Sequence, residues 1–176
     1  FVAGQGLTTL AFAICVLARL RDEPPLAEKV QPGHFGDLAS LTFAFVMLWA
    51  YLAFSQYLII WSGNLPEEIS WYLHCSHGGW QFIGPALMAF HFALPFLLLL
   101  KRSRKRDPKA LARVAVLILV ARWVELYWVI TPSFYSESLH LHWLDVTIWL
   151  GIGGVWVAFF LRQLTSWSLL PESDPR

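Results

Sequence analysis

Charge is what this chain has least of. Only 14% of its 176 residues are Asp, Glu, Lys or Arg, while 57% are hydrophobic. Soluble domains carry roughly 25% charge, so a free-standing soluble domain is excluded. Cysteine is scarce too. Cys15 and Cys75 are too few for a disulfide framework. No CxxC or CxxCH occurs, so an iron–sulfur or c-type haem signature is lacking. No glycine-rich phosphate loop is present, nor a signal-peptide pattern of basic, apolar and small-residue zones. The chain opens at Phe1, in the middle of a hydrophobic run, and reads as part of a longer polypeptide.

Apolar sequence and tryptophan, by contrast, are abundant. Of the ten Trp and five Tyr, many sit near the ends of apolar runs, where amphipathic rings favour the headgroup zone. A spanning helix needs about 20 apolar residues. Five segments qualify, at about 1–18, 38–61, 80–100, 110–131 and 141–161. Unpaired backbone is not tolerated in lipid, so these are expected to be helices, and runs such as 96–100 lack the alternation of a barrel. The fold class is therefore all-α integral membrane with five transmembrane helices.

The basic residues alternate between connections. Loop one (19–37) holds Arg19, Arg21 and Lys29, and loop three holds Lys101, Arg102, Arg104, Lys105, Arg106 and Lys109. Loops two (62–79) and four (132–140) hold none, while Arg162 and Arg176 follow the last span. Positive residues stay in the cytoplasm. Loops one and three and the C-terminal tail (164–176) are thus expected inside. The basic cluster of loop three then reads as topology and anionic-lipid contact, not nucleic-acid binding. In loop two, Asn64 and Glu67 match a capping box. Ile69, Trp71, Tyr72 and Leu73 suit a short helix on the membrane surface. Loop one, with Pro24, Pro25, Pro32 and Gly33, is expected to be irregular.

Ionisable groups at membrane depth are costly and face bundle interiors. Arg122 and Glu125 share a face of span four at i and i+3. They read either as a self-neutralising structural pair or as a protonation or quinone-proximal site. Asp145, with His142 three residues before it, is either a carboxylate at a helix N-terminus or part of a proton relay. His91 is near the middle of span three. Pro95 cannot donate to its carbonyl, which predicts a kink, and Pro85 is expected to do the same for Gln81. His91 is either a hydrogen-bonded structural histidine or a proton-transfer group, since imidazole titrates near neutral pH. Tyr51, Ser55 and Gln56 on span two fit helix packing or a hydrogen-bonded water chain. Gly151, Gly153 and Gly154 read as packing. His74, His77 and His140 lie in outward loops without metal-ligand spacing, so no metal site is expected.

The order of several motifs carries further information. Ala50-Tyr-Leu-Ala-Phe-Ser-Gln-Tyr57, Ile60-Trp61 and Asn64-Leu-Pro-Glu-Glu68 are followed by His91-Phe92 and Pro95-Phe96. Then come Glu125-Leu-Tyr-Trp128, His142-Trp-Leu-Asp145, Gly151-Ile-Gly-Gly154, Phe160-Leu-Arg162 and Asp174-Pro-Arg176. This series, over about 35–176, resembles the ActF-type membrane subunit of alternative complex III, a bacterial quinol:cytochrome c oxidoreductase. The resemblance implies a fold related to the NrfD and polysulfide-reductase membrane subunits, with this chain as its C-terminal half. The last four spans (38–163) would form an NrfD-like four-helix bundle and the first (1–18) would precede it. It implies a multi-pass protein of the bacterial inner membrane with a cytoplasmic C-terminus. Its partners would be membrane lipid, an NrfD-like sister subunit, an iron–sulfur subunit and cytochrome c subunits. Menaquinol or another quinol, haem c and iron–sulfur clusters would belong to that complex, and this chain would bind no redox metal itself. It would support assembly and guide protons through His91, Arg122, Glu125, Tyr127, Asp145, His142, Tyr51, Ser55 and Gln56. The family usually has aspartate where Glu125 stands and often histidine where Arg122 stands. A purely structural anchor and half of a transporter are the alternatives.

Overall fold

The computed structural model describes residues 1–24, 26–135, 139 and 142–166. It is helical, with no strand among those residues. Five helices are long and apolar enough to cross a membrane: Val2–Leu20, Pro32–Gly63, Trp80–Leu100, Pro108–Ser133 and Trp143–Ser166. We call them spans one to five. His140, Arg176 and the Asp174-Pro-Arg176 motif lie outside the described residues.

The helix boundaries follow local chemistry, and three expectations are corrected. Span two begins at Pro32 rather than near residue 38, so the second half of loop one is helical. Proline is favoured at the first helical position because its missing N–H is an orphan there anyway. Gln31 N–H also donates to His34 Nδ1 at 3.2 Å, which caps the new end. The resulting helix of 32 residues is about 48 Å long, well beyond the roughly 30 Å of hydrocarbon. Second, Asn64 does not start the surface helix. It closes span two in the left-handed region, at φ 45°, with its N–H on Ile60 O. Asn is one of the few side chains that visits this conformation routinely. The surface helix is there, at Pro66–His74, but Leu65 is its cap residue and Pro66 its first turn. Glu67 and Glu68 do sit in that first turn.

Third, the two prolines of span three act differently. Trp80–Phe82 forms a 3-10 turn and Ile83–Leu87 an α turn, so Pro85 falls where a helix start leaves N–H groups unpaired anyway. Pro95 acts in mid-helix. Its ring would clash with the carbonyl four residues back, that of His91. The helix widens just before it. Met88–Ala93 is a π turn, and Leu94 N–H reaches back five residues to Ala89 O. A π turn, not a simple kink, is how this sequence accommodates Pro95.

The core is built by spans one to four. Leu7, Ala11 and Ile14 repeat at helical spacing on span one, and Leu111, Ala115 and Ile118 on span four. These stripes pack together with Phe35, Ala39 and Val46 of span two and Leu99 of span three. Span one is therefore part of the packed core. Span five has no buried residue among those described. It lies against the others through rings: Phe12 meets Trp156 and Phe160, and Trp123 meets Trp149.

The loops segregate by charge. Lys105 of loop three reaches Ser40 and lies over the Phe43 ring, and Arg106 approaches Gly36. Arg19, Arg21 and Lys109 line one groove. This is the basic end of the bundle. At the opposite end Trp80 Nε1 donates to Tyr135 O at 3.2 Å, Leu139 N–H donates to Gly78 O, and Trp71 packs edge-on against Trp128.

Candidate functional site

Of the residues singled out from sequence, the fold brings three together. His91 is 0% exposed and Arg122 5%. Glu125 lies between them, with its side chain 13% exposed. Arg122 Nη1 stands 2.8 Å from Glu125 Oε2, and His91 Nδ1 stands 3.1 Å from the same oxygen. The i,i+3 spacing on span four puts Arg122 and Glu125 on one face. Side chains on a helix lean toward its N-terminus, so the Glu125 carboxylate lies deeper in the bundle than its Cα. The π turn of span three presents His91 to it.

Two members were not legible as site residues. Trp49 Nε1 donates to Glu125 Oε1 at 2.9 Å, and its ring lies 4.3 Å from that of His91. Trp49 is mid-span, unlike the tryptophans near span ends. A buried indole N–H seeks an acceptor, and that was the available signal. Gly4 of span one is the second. A Cβ there would stand 2.4 Å from Arg122 Cζ, so the glycine makes room for the guanidinium. Spans one, two, three and four thus meet at one polar cluster.

The alignment within it is uneven. Trp49 and Glu125 form a true hydrogen bond. Glu125 Oε2 stands within ion-pair distance of both Arg122 Nη1 and His91 Nδ1, yet neither it nor the two His91 ring nitrogens makes an aligned hydrogen bond. Arg122 Nη2 is likewise buried without one. Trp49 and Arg122 can only donate, and arginine does not lose its proton in proteins. Any proton exchanged here belongs to His91 or Glu125.

No family model and no curated protein matches the chain. The remaining predicted residues sit elsewhere. His142 and Asp145 both cap the start of span five: His142 N–H donates to Asp145 Oδ2 at 3.1 Å, and Leu144 N–H to His142 Nδ1 at 3.3 Å. Asp145 thus stands at a helix end, one of the two roles expected of it. Tyr127 packs beside Trp80 and Trp123 and is within electrostatic reach of Asp145. Tyr51 is 68% exposed, Gln56 is exposed and Ser55 half-buried. None of these three is joined to the Glu125 cluster. No group of three or more His, Cys, Asp or Glu capable of holding a metal occurs among the described residues.

Proposed function

We propose that this chain is a non-metal membrane subunit of a quinol:electron-acceptor oxidoreductase of the alternative complex III kind. In this reading the His91–Glu125 pair handles protons for the assembly. The observation that carries the proposal is the buried cluster itself. Ionisable groups inside a membrane are expensive and mark proton relays or ion paths. Arg122 holds the Glu125 carboxylate from one side and His91 faces the same oxygen at 3.1 Å from the other, which brings together the two groups able to exchange a proton. The ordered motifs from Ala50 to Arg162 supply the rest: the quinol complex, and partner subunits with haem c and iron–sulfur clusters. The segregation of basic loops at one end supports a cytoplasmic basic face in a bacterial inner membrane. Glu125, eight residues from the end of its span at Ser133, then lies roughly 12 Å below the outer end.

The test uses the assembled complex. Glu125→Gln and His91→Gln are each expected to cut quinol-driven proton release and turnover by about a hundredfold or more, the usual scale for a lost proton-transfer group. Normal turnover and proton release in both intact variants would sink the proposal. A structural anchor is the second reading, favoured by the Trp49–Glu125 bond between spans two and four. It predicts that Glu125→Gln lowers the yield of assembled complex and leaves turnover per complex unchanged. Co-purification without haem or iron–sulfur subunits would leave the transporter alternative standing.

A further inference from the structure

At the basic end, a groove of about 310 Å³ opens between the end of span one and the start of span four. Its floor is apolar, with Cys15 and Ala18 from one helix and Ala112 and Val116 from the other. Its rim is charged. Arg19 and Lys109 are exposed there, while Arg21 is paired locally with Asp22 at 3.3 Å. The Arg21–Asp22 pair cancels itself, so Arg19 and Lys109 are the remaining cations of the rim; Asp107, outside the lining, spends its Oδ1 on the Lys109 backbone N–H at 3.0 Å.

An apolar cleft below cations is complementary to one class of molecule. We propose that this groove is a binding site for a single anionic phospholipid. The headgroup phosphate sits between Arg19 and Lys109, and an acyl chain runs down over Ala112 and Val116. The position fits, because the rim lies where two spans leave the hydrocarbon and the floor continues into it. Basic pockets between transmembrane helices hold anionic headgroups in this manner. The site is separate from the Glu125 cluster and does not depend on the quinol reading. It differs from diffuse attraction by loop three, whose Lys101, Arg102 and Arg104 are outside the groove lining.

Native mass spectrometry of the purified chain, with added phosphatidylglycerol or phosphatidylcholine, tests this. One phosphatidylglycerol is expected to be retained at detergent levels that strip phosphatidylcholine. Each surface cation contributes roughly a fivefold attraction, so Arg19→Gln with Lys109→Gln should weaken binding about thirtyfold. Arg19→Lys with Lys109→Arg should keep it. Arg102→Gln with Arg104→Gln, which removes as much charge outside the groove, should change it less than about threefold. If the neutral pair fails to fold, Ala112→Phe decides, since it fills the floor without touching charge and should also expel the lipid. Equal losses in the groove and loop variants, or equal retention of both lipids, would overturn the proposal. So would retention of lipid by Ala112→Phe, or displacement of the lipid by inorganic phosphate alone.

Discussion

Gly4→Ala offers the sharpest probe of the buried cluster, because the change is one methyl group. The added carbon would stand 2.4, 2.5 and 2.7 Å from Arg122 Cζ, Nη1 and Nη2. Comfortable separations are about 3.5–4.0 Å, so the guanidinium has to withdraw by roughly 1 Å. A free arginine tip would do so cheaply. This one is buried and held at 2.8 Å by Glu125. Overpacking of a core costs about 1–3 kcal/mol. A partial loss of the buried ion pair adds to that, and complete loss of a partner would cost about 3–5 kcal/mol. Against this, alanine in a helix gains about 1 kcal/mol over glycine. The balance is a destabilisation of about 2 kcal/mol. Unfolding of the purified chain in mixed micelles, by heat or by SDS, measures it. Gly151→Ala is the control, with nothing within 4 Å of its Cβ. It should gain up to about 1 kcal/mol. On a background of Arg122→Gln with Glu125→Gln, Gly4→Ala should lose at least about 1 kcal/mol of its penalty, as coupled neighbours do. If Gly4→Ala and Gly151→Ala behave alike, or if the penalty persists on that background, the packing argument is refuted.

The same geometry sets three further outcomes. Trp49→Phe keeps a ring beside His91 and deletes the 2.9 Å bond to Glu125; it should cost about 1.5–3 kcal/mol in the same assay, the range for a hydrogen bond to a charged group. Pro95→Ala removes the reason for the π turn. Dropping the extra residue of that turn rotates the rest of the helix by about 100°, so the coupling energy between His91→Gln and Glu125→Gln should fall below about 0.5 kcal/mol. Burial pushes the Cys75 thiol from its ordinary 9.0 up to about 11. Because the thiolate is the reactive form, alkylation of a Cys15→Ser chain at pH 8 should run about 100-fold slower than for an ordinary thiol and accelerate as pH rises toward 11.

The parts of the fold set by long apolar runs are legible in the sequence. The run at 80–100 predicts span three, and Trp80–Leu100 is the helix that forms. Local punctuation is less so. Asn64 carries the same residue type for a helix start as for a left-handed stop, and only the uninterrupted apolar run before it argues for the stop. Pro32 reads as a breaker in isolation, yet it is the first residue of a helix. The site is half legible. His91, Arg122 and Glu125 stand out because charge is rare at that depth. Trp49 and Gly4 do not, because tryptophan is common in membrane sequences and glycine carries no chemistry of its own. Their roles arise from which helix faces which, and the pairing of span one with span four is not readable from periodicity.

The unevenness of the cluster is what keeps the two functional readings apart. A pair kept for stability gains most when every donor is aimed at its acceptor, since a buried unsatisfied group costs about 1–3 kcal/mol. Trp49 Nε1 and Glu125 Oε1 meet that condition. Glu125 Oε2 does not: His91 stands 3.1 Å from it on a π turn without an aligned bond. A histidine retained only as glue would be expected to aim a ring N–H at the carboxylate beside it. A histidine that must alternate between two partners is served by being close to one and committed to none. His91→Gln therefore weighs more than Glu125→Gln. Losing Glu125 harms either role, through an uncompensated Arg122. Losing His91 leaves Trp49 and Arg122 on the Glu125 carboxylate, so a stable complex with lost proton release would tell for the relay alone.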